Sequence, residues 1–254
     1  MDTSLELKEL TQQLKQVEKE KEKLQELNEK KDRLFSTIAH DLRSPFQSLL
    51  GISEILSSEA ENLSLEEIIK FSSILNSAIK NQYELLNHIL DWAKLQTNKL
   101  DFYPRPVDLY EIAGKVFNIF LPIAVNKNIK LVTEINKNTI ITADEDMLMV
   151  ILQNLVSNAI KYSHRGSKVK ITYNSSNGKH RITVQDDGVG LTGEAIEKIF
   201  NFESKYSVPG TEGEPGSGIG MMIVNEMLER HNGKLSVESA INIGSKFTIS
   251  LPAV

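Results

Sequence analysis

FSTIAHDLRSPFQSLL, residues 35–50, joins a charged amphipathic segment to the rest of the chain. On a helical wheel of about 100° per residue, a mostly apolar stripe lies within about 60° of the point opposite His40; it comprises Leu34, Phe35, Ile38, Leu42, Pro45, Leu49, Ile52 and Leu56. His40 therefore faces away from this stripe, beside Arg43, Ser44 and Gln47. Pro45 removes a helical hydrogen bond and predicts a kink just beyond the histidine. This pattern fits either a reaction site or a helix with one surface histidine.

Composition limits the class of protein. The length of 254 residues predicts one large domain or two ordinary ones, and a hydrophobic content of 40% is enough for a buried core. The net charge of −5 gives no reason to expect nucleic-acid binding, and the lack of cysteine excludes disulfides and thiolate metal sites. No apolar run reaches about 18 residues and no signal-peptide pattern is present, so we expect a cytoplasmic location, as a soluble protein or as the cytoplasmic portion of a longer one.

The first hundred residues are predicted to be helical. Residues 1–33 have no internal Gly or Pro and a 3–4 spacing of apolar residues, which fits a short parallel coiled coil, and hence a dimer, or a solvated single helix. Residues 34–100 are predicted to form a hairpin of two helices, the first ending near Ser57 and the second starting at a Ser64–Glu67 capping box. Neither helix buries its stripe within one hairpin, so two hairpins would form a dimeric four-helix bundle with His40 outside.

The remaining residues predict alternating helices and strands. Residues 101–107 are interpreted as a linker because two prolines exclude a helix, and residues 108–254 as a second domain. Helices are predicted to end near residues 125, 162 and 231. A long polar segment is predicted at 191–215. The predicted strands are 129–135, 139–143, 168–174, 180–185, 234–239 and 246–251. The predicted fold class is thus α+β: a helical hairpin followed by an α/β sandwich, with one mixed, mostly antiparallel sheet covered by helices on one face.

The segment NLVSNAIKYS begins at Asn154 and lies on a predicted helix. Asn154, Asn158 and Lys161 are spaced i, i+4 and i+7, so all three side chains project from one face. Two amides and an ammonium there could bind a metal-bound polyphosphate. An ordinary polar helix face fits this segment alone at least as well.

Two glycine-rich turns follow. In VQDDGVGL, residues 184–191, glycines would let the backbone approach a flat ligand, and a carboxylate could accept a hydrogen bond from an exocyclic amine. A tight turn with solvated aspartates is the alternative, and a calcium loop would need further acids. In GEPGSGIG, residues 213–220, the glycines open a helix whose free N–H groups favour phosphate. The Walker loop, the dinucleotide fingerprint and the serine/threonine-kinase motifs do not match.

From about residue 33 to 251, the order and spacing of these segments resemble the sensor histidine kinases of two-component signalling. HDLRSP resembles the H-box of that family, and NLVSNAIKY resembles its N-box. DDGVGL, IFNF (199–202) and GSGIG resemble the G1, F and G2 boxes in the same order. The resemblance implies an ATP-dependent protein-histidine kinase with ATP and Mg²⁺ as cofactors.

The resemblance also implies roles for individual residues. His40 would attack the γ-phosphate, and Asp41 would act as its general base. Ser44 stands where the family usually has Thr or Asn, which hold a water molecule for dephosphorylation of the partner. This difference leaves open whether the chain has phosphatase activity. Asn154 and Asn158 would bind magnesium. The implied nucleotide-binding residues are Asn154, Asn158, Lys161, Tyr162, Asp186, Gly188, Gly190, Lys205, Gly216, Ser217, Gly218 and Gly220, and the implied lid anchors are Phe200 and Phe202.

The implied partners are a second copy of the chain and the receiver domain of a response regulator, which is separate or truncated away. We expect no nucleic acid and no membrane contact within this chain. Two alternatives keep the nucleotide site but not the kinase activity. One is an ATPase of the gyrase type in which His40 is incidental, and the other is a dimeric scaffold that binds ATP without turnover. The intact H-box, including Asp41, argues against both.

Overall fold

The structure is a computed structural model that describes residues 14, 16–21, 25, 45–96, 102–200, 208–214, 216 and 218–253. The chain divides into two compact units, Met1–Tyr83 and Glu84–Val254.

Most of the described residues of the first unit are helical. Residues 14, 16–21 and 25 are helical, and residues 45–58 form the described part of helix α1. Helix α2, Leu65–Gln96, begins at the predicted capping box. The backbone N–H of Ser64 donates to Glu67 Oε2 at 2.9 Å, and the N–H of Glu67 donates to Ser64 Oγ at 3.3 Å. This reciprocal pair satisfies two N–H groups that the helix itself leaves without acceptors, and so fixes where α2 starts.

The second unit combines a sheet with a layer of helices. Its elements in order are β1 Arg105–Asp108, α3 Leu109–Asn126, β2 Lys130–Glu134, β3 Ile140–Ala143, α4 Glu145–Lys161, β4 Lys168–Ser176, β5 Lys179–Asp186, α5 Gly193–Phe200, α6 Gly220–Arg230, β6 Lys234–Ala240 and β7 Gly244–Pro252. The main sheet has the order β2-β4-β5-β7-β6. Only the β2–β4 pair is parallel. The predicted fold class, a mixed and mostly antiparallel sheet with helices on it, is confirmed.

The core lies between the sheet and the helices, of which α4 contacts α3, α6, β4 and β5. Alternate residues of β5, including Ile182 and Val184, are buried, while α4 is buried along a wide stripe that includes Leu152 and Leu155. A period of two in the strands and of about 3.6 in the helix brings these apolar faces together. The C-terminal end of α4 then lies beside the end of β5, where Ser163 pairs with Gly188.

The residues just before β1 are attached to the N-terminus of α4 through Asp144. Asp144 Oδ1 caps the helix by accepting from the N–H of Met147 at 3.0 Å, and Oδ2 accepts from the N–H of Tyr103 at 3.0 Å. The N–H of Asp144 donates to His231 Nε2 at 3.1 Å, and Phe102 packs edge-on against that imidazole at 4.8 Å between ring centroids. The Asp144 carboxylate and the packing of Phe102 on His231 therefore hold residues 102–103 at the N-terminal end of α4.

Two details differ from the prediction. Residues 105–107, interpreted as part of the linker, belong to β1, and the strand predicted at 139–143 pairs with β1 in a separate two-stranded sheet. Pro106 is tolerated because a strand in so small a sheet leaves one edge without backbone partners. The polar segment 191–215 also contains α5, whose first turn is capped by Thr192 Oγ1 accepting from the N–H of Ala195 at 3.1 Å. Within the described residues, no helix is long and apolar enough to cross a membrane.

Candidate nucleotide-binding site

The predicted amides of α4 meet the first turn of α6. The buried Asn154 donates from Nδ2 to the Val150 carbonyl at 2.9 Å, and a Cβ on Gly220 would lie 2.5 Å from Asn154 Oδ1. Asn158 Nδ2 lies 3.5 Å from Met221 Sδ. With both nitrogens engaged and no described residue donating to either amide oxygen, these oxygens could serve as acceptors or metal ligands. A Cβ at position 220 would force the Asn154 side chain to shift.

Asp186 ends β5 as a buried carboxylate, with only 4% of the residue exposed. Its Oδ1 accepts from the N–H of Gly188 at 2.9 Å and from the N–H of Ser245 at 3.2 Å. Burial raises the pKa of Asp186 to about 6, against the opposing effect of these two hydrogen bonds and with a further contribution from the charge of Asp187. Among the described residues none donates to Oδ2, so this oxygen is the acceptor that a ligand could use.

Three glycines allow close backbone approaches at and beside Asp186. A Cβ on Gly188 would overlap the Tyr162 carbonyl and lie 2.7 Å from Asp186 Oδ1. Gly190 has a φ of +69°, and a Cβ there would overlap the carbonyl of Ala240. Gly244 has a φ of +116°, and its Cβ would overlap the carbonyl of Asp186 itself. Sequence reasoning missed Gly244, although its place just before a predicted strand is typical of glycines that allow a close backbone approach.

Residues 208–214, hereafter the lid segment, pack against the C-terminal end of α4. Tyr162 donates from its hydroxyl to the Val208 carbonyl at 3.1 Å, and Lys161 Nζ lies 4.9 Å from the centre of the Tyr162 ring. Thr211 donates from its N–H to the Lys161 carbonyl at 3.1 Å and from Oγ1 to the Ser163 carbonyl at 2.7 Å. The lid segment is thus hydrogen-bonded to the same turn that carries two predicted nucleotide contacts.

Lys127, the residue that follows α3, connects that helix to the lid segment. Its side chain is 3% exposed, and its Nζ lies 2.7 Å from Glu214 Oε1 of the lid segment. Burial pushes the pKa of Glu214 upward, but hydrogen bonds from the Lys127 ammonium and from backbone N–H groups outweigh it, so the pKa lies below its usual value. Sequence reasoning missed Lys127 and Thr211, which belong to no motif that it used, and it gave no role to Glu214, although this residue lies within GEPGSGIG.

The structure gathers most of the predicted nucleotide residues in one region. Asn154, Asn158, Lys161, Tyr162, Asp186, Gly188, Gly190 and Gly220 lie on the adjoining parts of α4, β5 and α6 described above. Gly216 and Gly218 precede α6, and Gly218 has a φ of +71°. Phe200 is the last residue of α5 and is 37% exposed. His40, Asp41, Ser44, Lys205, Ser217 and Phe202 lie outside the described residues, so their roles stay predictions.

Family comparisons agree with this geometry. The family model for the histidine kinase-, DNA gyrase B- and HSP90-like ATPases matches residues 143–254, and the model for the His Kinase A phospho-acceptor domain matches residues 30–98. The chain belongs to the sensor histidine kinases of two-component signalling. In this sensor histidine kinase, the region built around α4, β5 and α6 is therefore an ATP-binding domain.

Relatives of this sensor histidine kinase include much longer proteins. Sensor protein EvgS of Escherichia coli K12 is 30% identical over 93% of this chain and 20% of its own length. The autoinducer 2 sensor kinase/phosphatase LuxQ of Vibrio cholerae is 30% identical over 85% of this chain and 25% of its own length. The chain thus spans about a fifth to a quarter of these relatives. The structure of histidine kinase ThkA in complex with the response regulator protein TrrA shares the fold, with a TM-score of 0.68, 23% identity and coverage of 91% of this chain and 66% of that one.

Proposed function

We propose that this chain is an ATP-dependent protein-histidine kinase that phosphorylates His40 and passes the phosphoryl group to an aspartate of a response-regulator receiver domain. The observation that carries the proposal is the carboxylate of Asp186, which is buried and held through Oδ1 while no described residue donates to Oδ2. A buried carboxylate oxygen of this kind fits the exocyclic amine of adenine, which supplies two N–H donors.

The phosphates would occupy the other end of the same site. There α6 begins at Gly220, and the backbone N–H groups of its first turn and the positive end of the helix dipole favour an anion. Lys161 would add positive charge. Asn154 and Asn158 would present their amide oxygens to Mg²⁺, which prefers oxygen ligands and shares its coordination with phosphate and water. Lys205, Gly216, Ser217 and Gly218 are the further lid contacts of the proposal.

The phosphoryl transfer would proceed from bound ATP to the imidazole of His40. In the proposed step, a ring nitrogen of neutral His40 attacks the γ-phosphorus, the bond from that phosphorus to the β–γ bridging oxygen breaks, and ADP leaves. Asp41 accepts the proton from the other ring nitrogen, which keeps the ring nucleophilic. Asn154 and Asn158 would hold a magnesium ion whose charge would balance that of the phosphate oxygens.

The proposed partners are a second copy of the chain and a response regulator. Several apolar side chains of α2 are exposed in the single chain, among them Ile79 at 51%, Leu86 at 45% and Leu90 at 48%. A second hairpin would cover them, as the dimeric bundle requires. LuxQ is named a kinase and a phosphatase, and Ser44 is the residue on which a phosphatase activity here would depend. The proposed location is the cytoplasm, where ATP is available.

Incubation with γ-labelled ATP tests the kinase proposal. The wild-type chain should gain an acid-labile, base-stable label, and His40→Gln should abolish it. His180→Gln is the matched control, because this histidine lies on β5 and hydrogen-bonds Tyr173. Label that persists in His40→Gln would refute the assignment of His40. Free phosphate released independently of His40 would favour the ATPase, and tight binding without turnover would favour the scaffold.

A further inference from the structure

Lys127 is a buried cation whose ammonium group, among the described residues, donates hydrogen bonds only within the nucleotide region. Its Nζ donates to the carbonyls of Ile160 at 3.0 Å and Lys161 at 2.9 Å, and to Glu214 Oε1 at 2.7 Å. The two carbonyls belong to the last turn of α4, the negative end of that helix, which attracts a cation. The three donors of the ammonium are thus matched by three acceptors, which is how a protein tolerates a buried charge.

Glu214 organises the lid segment while it binds this cation. Its Oε2 accepts from the N–H of Glu212 at 2.8 Å, and its own carbonyl accepts from the N–H of Gly210 at 2.7 Å. The carboxylate of Glu214 therefore binds both Lys127 and the N–H of Glu212, while its backbone carbonyl closes the turn from residue 210 to 214. Removing the charge of the carboxylate would weaken its bonds to Lys127 and to Glu212 at once, because hydrogen bonds to charged groups are about twice as strong as neutral ones.

The carbonyl of Lys161 is where the lid segment and the nucleotide helix meet. It accepts from Lys127 Nζ at 2.9 Å and from the N–H of Thr211 at 3.1 Å, while the single hydroxyl hydrogen of Thr211 goes to the neighbouring Ser163 carbonyl at 2.7 Å. The side chain of Lys161 is the proposed phosphate contact, and Tyr162 follows it. Two donors on one carbonyl hold this peptide group, and with it the direction in which both side chains leave the backbone.

We infer that Lys127 and Glu214 are positioning residues of the nucleotide site, whose ion pair holds the lid segment on the end of α4 and thereby orients Lys161 and Tyr162 for ATP. The inference rests on the proposed function, since it concerns the same site. Neither residue is among the proposed nucleotide contacts. Their loss should therefore change how well ATP is held rather than how fast bound ATP reacts.

Glu214→Gln tests this inference through the ATP dependence of autophosphorylation. The KM for ATP should rise about tenfold, as expected for a lost hydrogen bond between charged groups, while kcat should stay within about twofold. Glu212→Gln is the matched control in the same lid segment. Its partner Arg165 is 60% exposed, so this pair is screened by water and the KM should change less than about twofold.

A double-mutant cycle with Lys127→Met separates positioning from simple stabilisation. If the pair acts as one unit, Lys127→Met/Glu214→Gln should raise the KM no further than the stronger single variant. An unchanged KM in Glu214→Gln, with only a lower melting temperature, would overturn the inference. The inference would also fail if the KM increases of the two single variants multiplied in the double variant. Failure of the wild-type chain to bind ATP would instead refute the proposed function, which keeps the two outcomes distinct.

Discussion

Asp186→Asn should make the nucleotide-free protein more stable while it weakens ATP binding. The carboxylate is buried beside Gly188 and Ser245, and its pKa is raised from 3.8 to about 6. At neutral pH the folded chain must therefore keep a charge that burial disfavours. Asparagine has nearly the same shape, keeps an oxygen for the two backbone N–H groups and carries no charge.

The size of the effect follows from the pKa. The difference between about 6 and 3.8 is about 2 units, and each unit is worth about 1.4 kcal/mol, so ionised Asp186 destabilises the folded state by up to about 3 kcal/mol. Asp186 favours the folded state most below pH 3.8, where its carboxyl group is protonated in both the folded and the unfolded chain. This stabilisation of the folded state is lost as the pH rises through about 6 and the buried carboxyl group ionises. The stability gained by the variant should accordingly grow between about pH 4 and pH 6 and level off above it.

Urea unfolding followed by circular dichroism, at matched pH without nucleotide, measures this gain. ATP affinity of the same variant, measured by calorimetry with Mg²⁺, should fall by about 10- to 100-fold, because the amide nitrogen replaces the acceptor offered to adenine. Asp187→Asn is the matched control, since its side chain is 44% exposed and lies 4.0 Å from Lys168; it should change stability by less than about 0.5 kcal/mol. Lower stability of Asp186→Asn at pH 7.5, or unchanged ATP affinity, would refute the reasoning.

Two further predictions concern the same site. ATP affinity of the wild-type chain should fall as the pH drops below about 6, because protonated Asp186 is a weaker acceptor, and calorimetry across pH should show a much flatter profile for Asp186→Asn. Gly190→Ala should destabilise the second unit by about 2 kcal/mol or more, because φ is +69° and a Cβ would overlap the Ala240 carbonyl. Gly193→Ala, where a Cβ would meet no atom within 4 Å, is its control in thermal unfolding, and equal melting temperatures for the two variants would contradict the steric argument.

The features that sequence predicted correctly are local ones. The start of α2 was predictable because Ser64 and Glu67 complete each other's hydrogen bonds within four residues. The shared face of Asn154 and Asn158 was predictable because helical spacing alone places them together. Asp186 could be singled out because an acid at a strand end before a Gly-x-Gly turn is a local pattern as well.

The features that sequence missed depend on partners far apart in the chain. Lys127 and Glu214 are 87 residues apart, and neither carries a local sign that it needs the other. The pairing of β1 with β3 likewise depends on the whole of α3 lying between them, and Pro106 argued against a strand. Gly244 supports Asp186 from another strand, so its role appears only when β5 and β7 are aligned.

The hydrogen bonds of Asp144 connect residues 102–103 to the N-terminus of α4. Residues 102–103 are held at the N-terminal end of α4, whereas the proposed magnesium and phosphate contacts Asn154, Asn158 and Lys161 lie in its C-terminal half. The helix between them is a single rod of 17 residues, about 25 Å long. The contacts that hold residues 102–103 and the proposed nucleotide contacts Asn158 and Lys161 therefore belong to opposite ends of one helix.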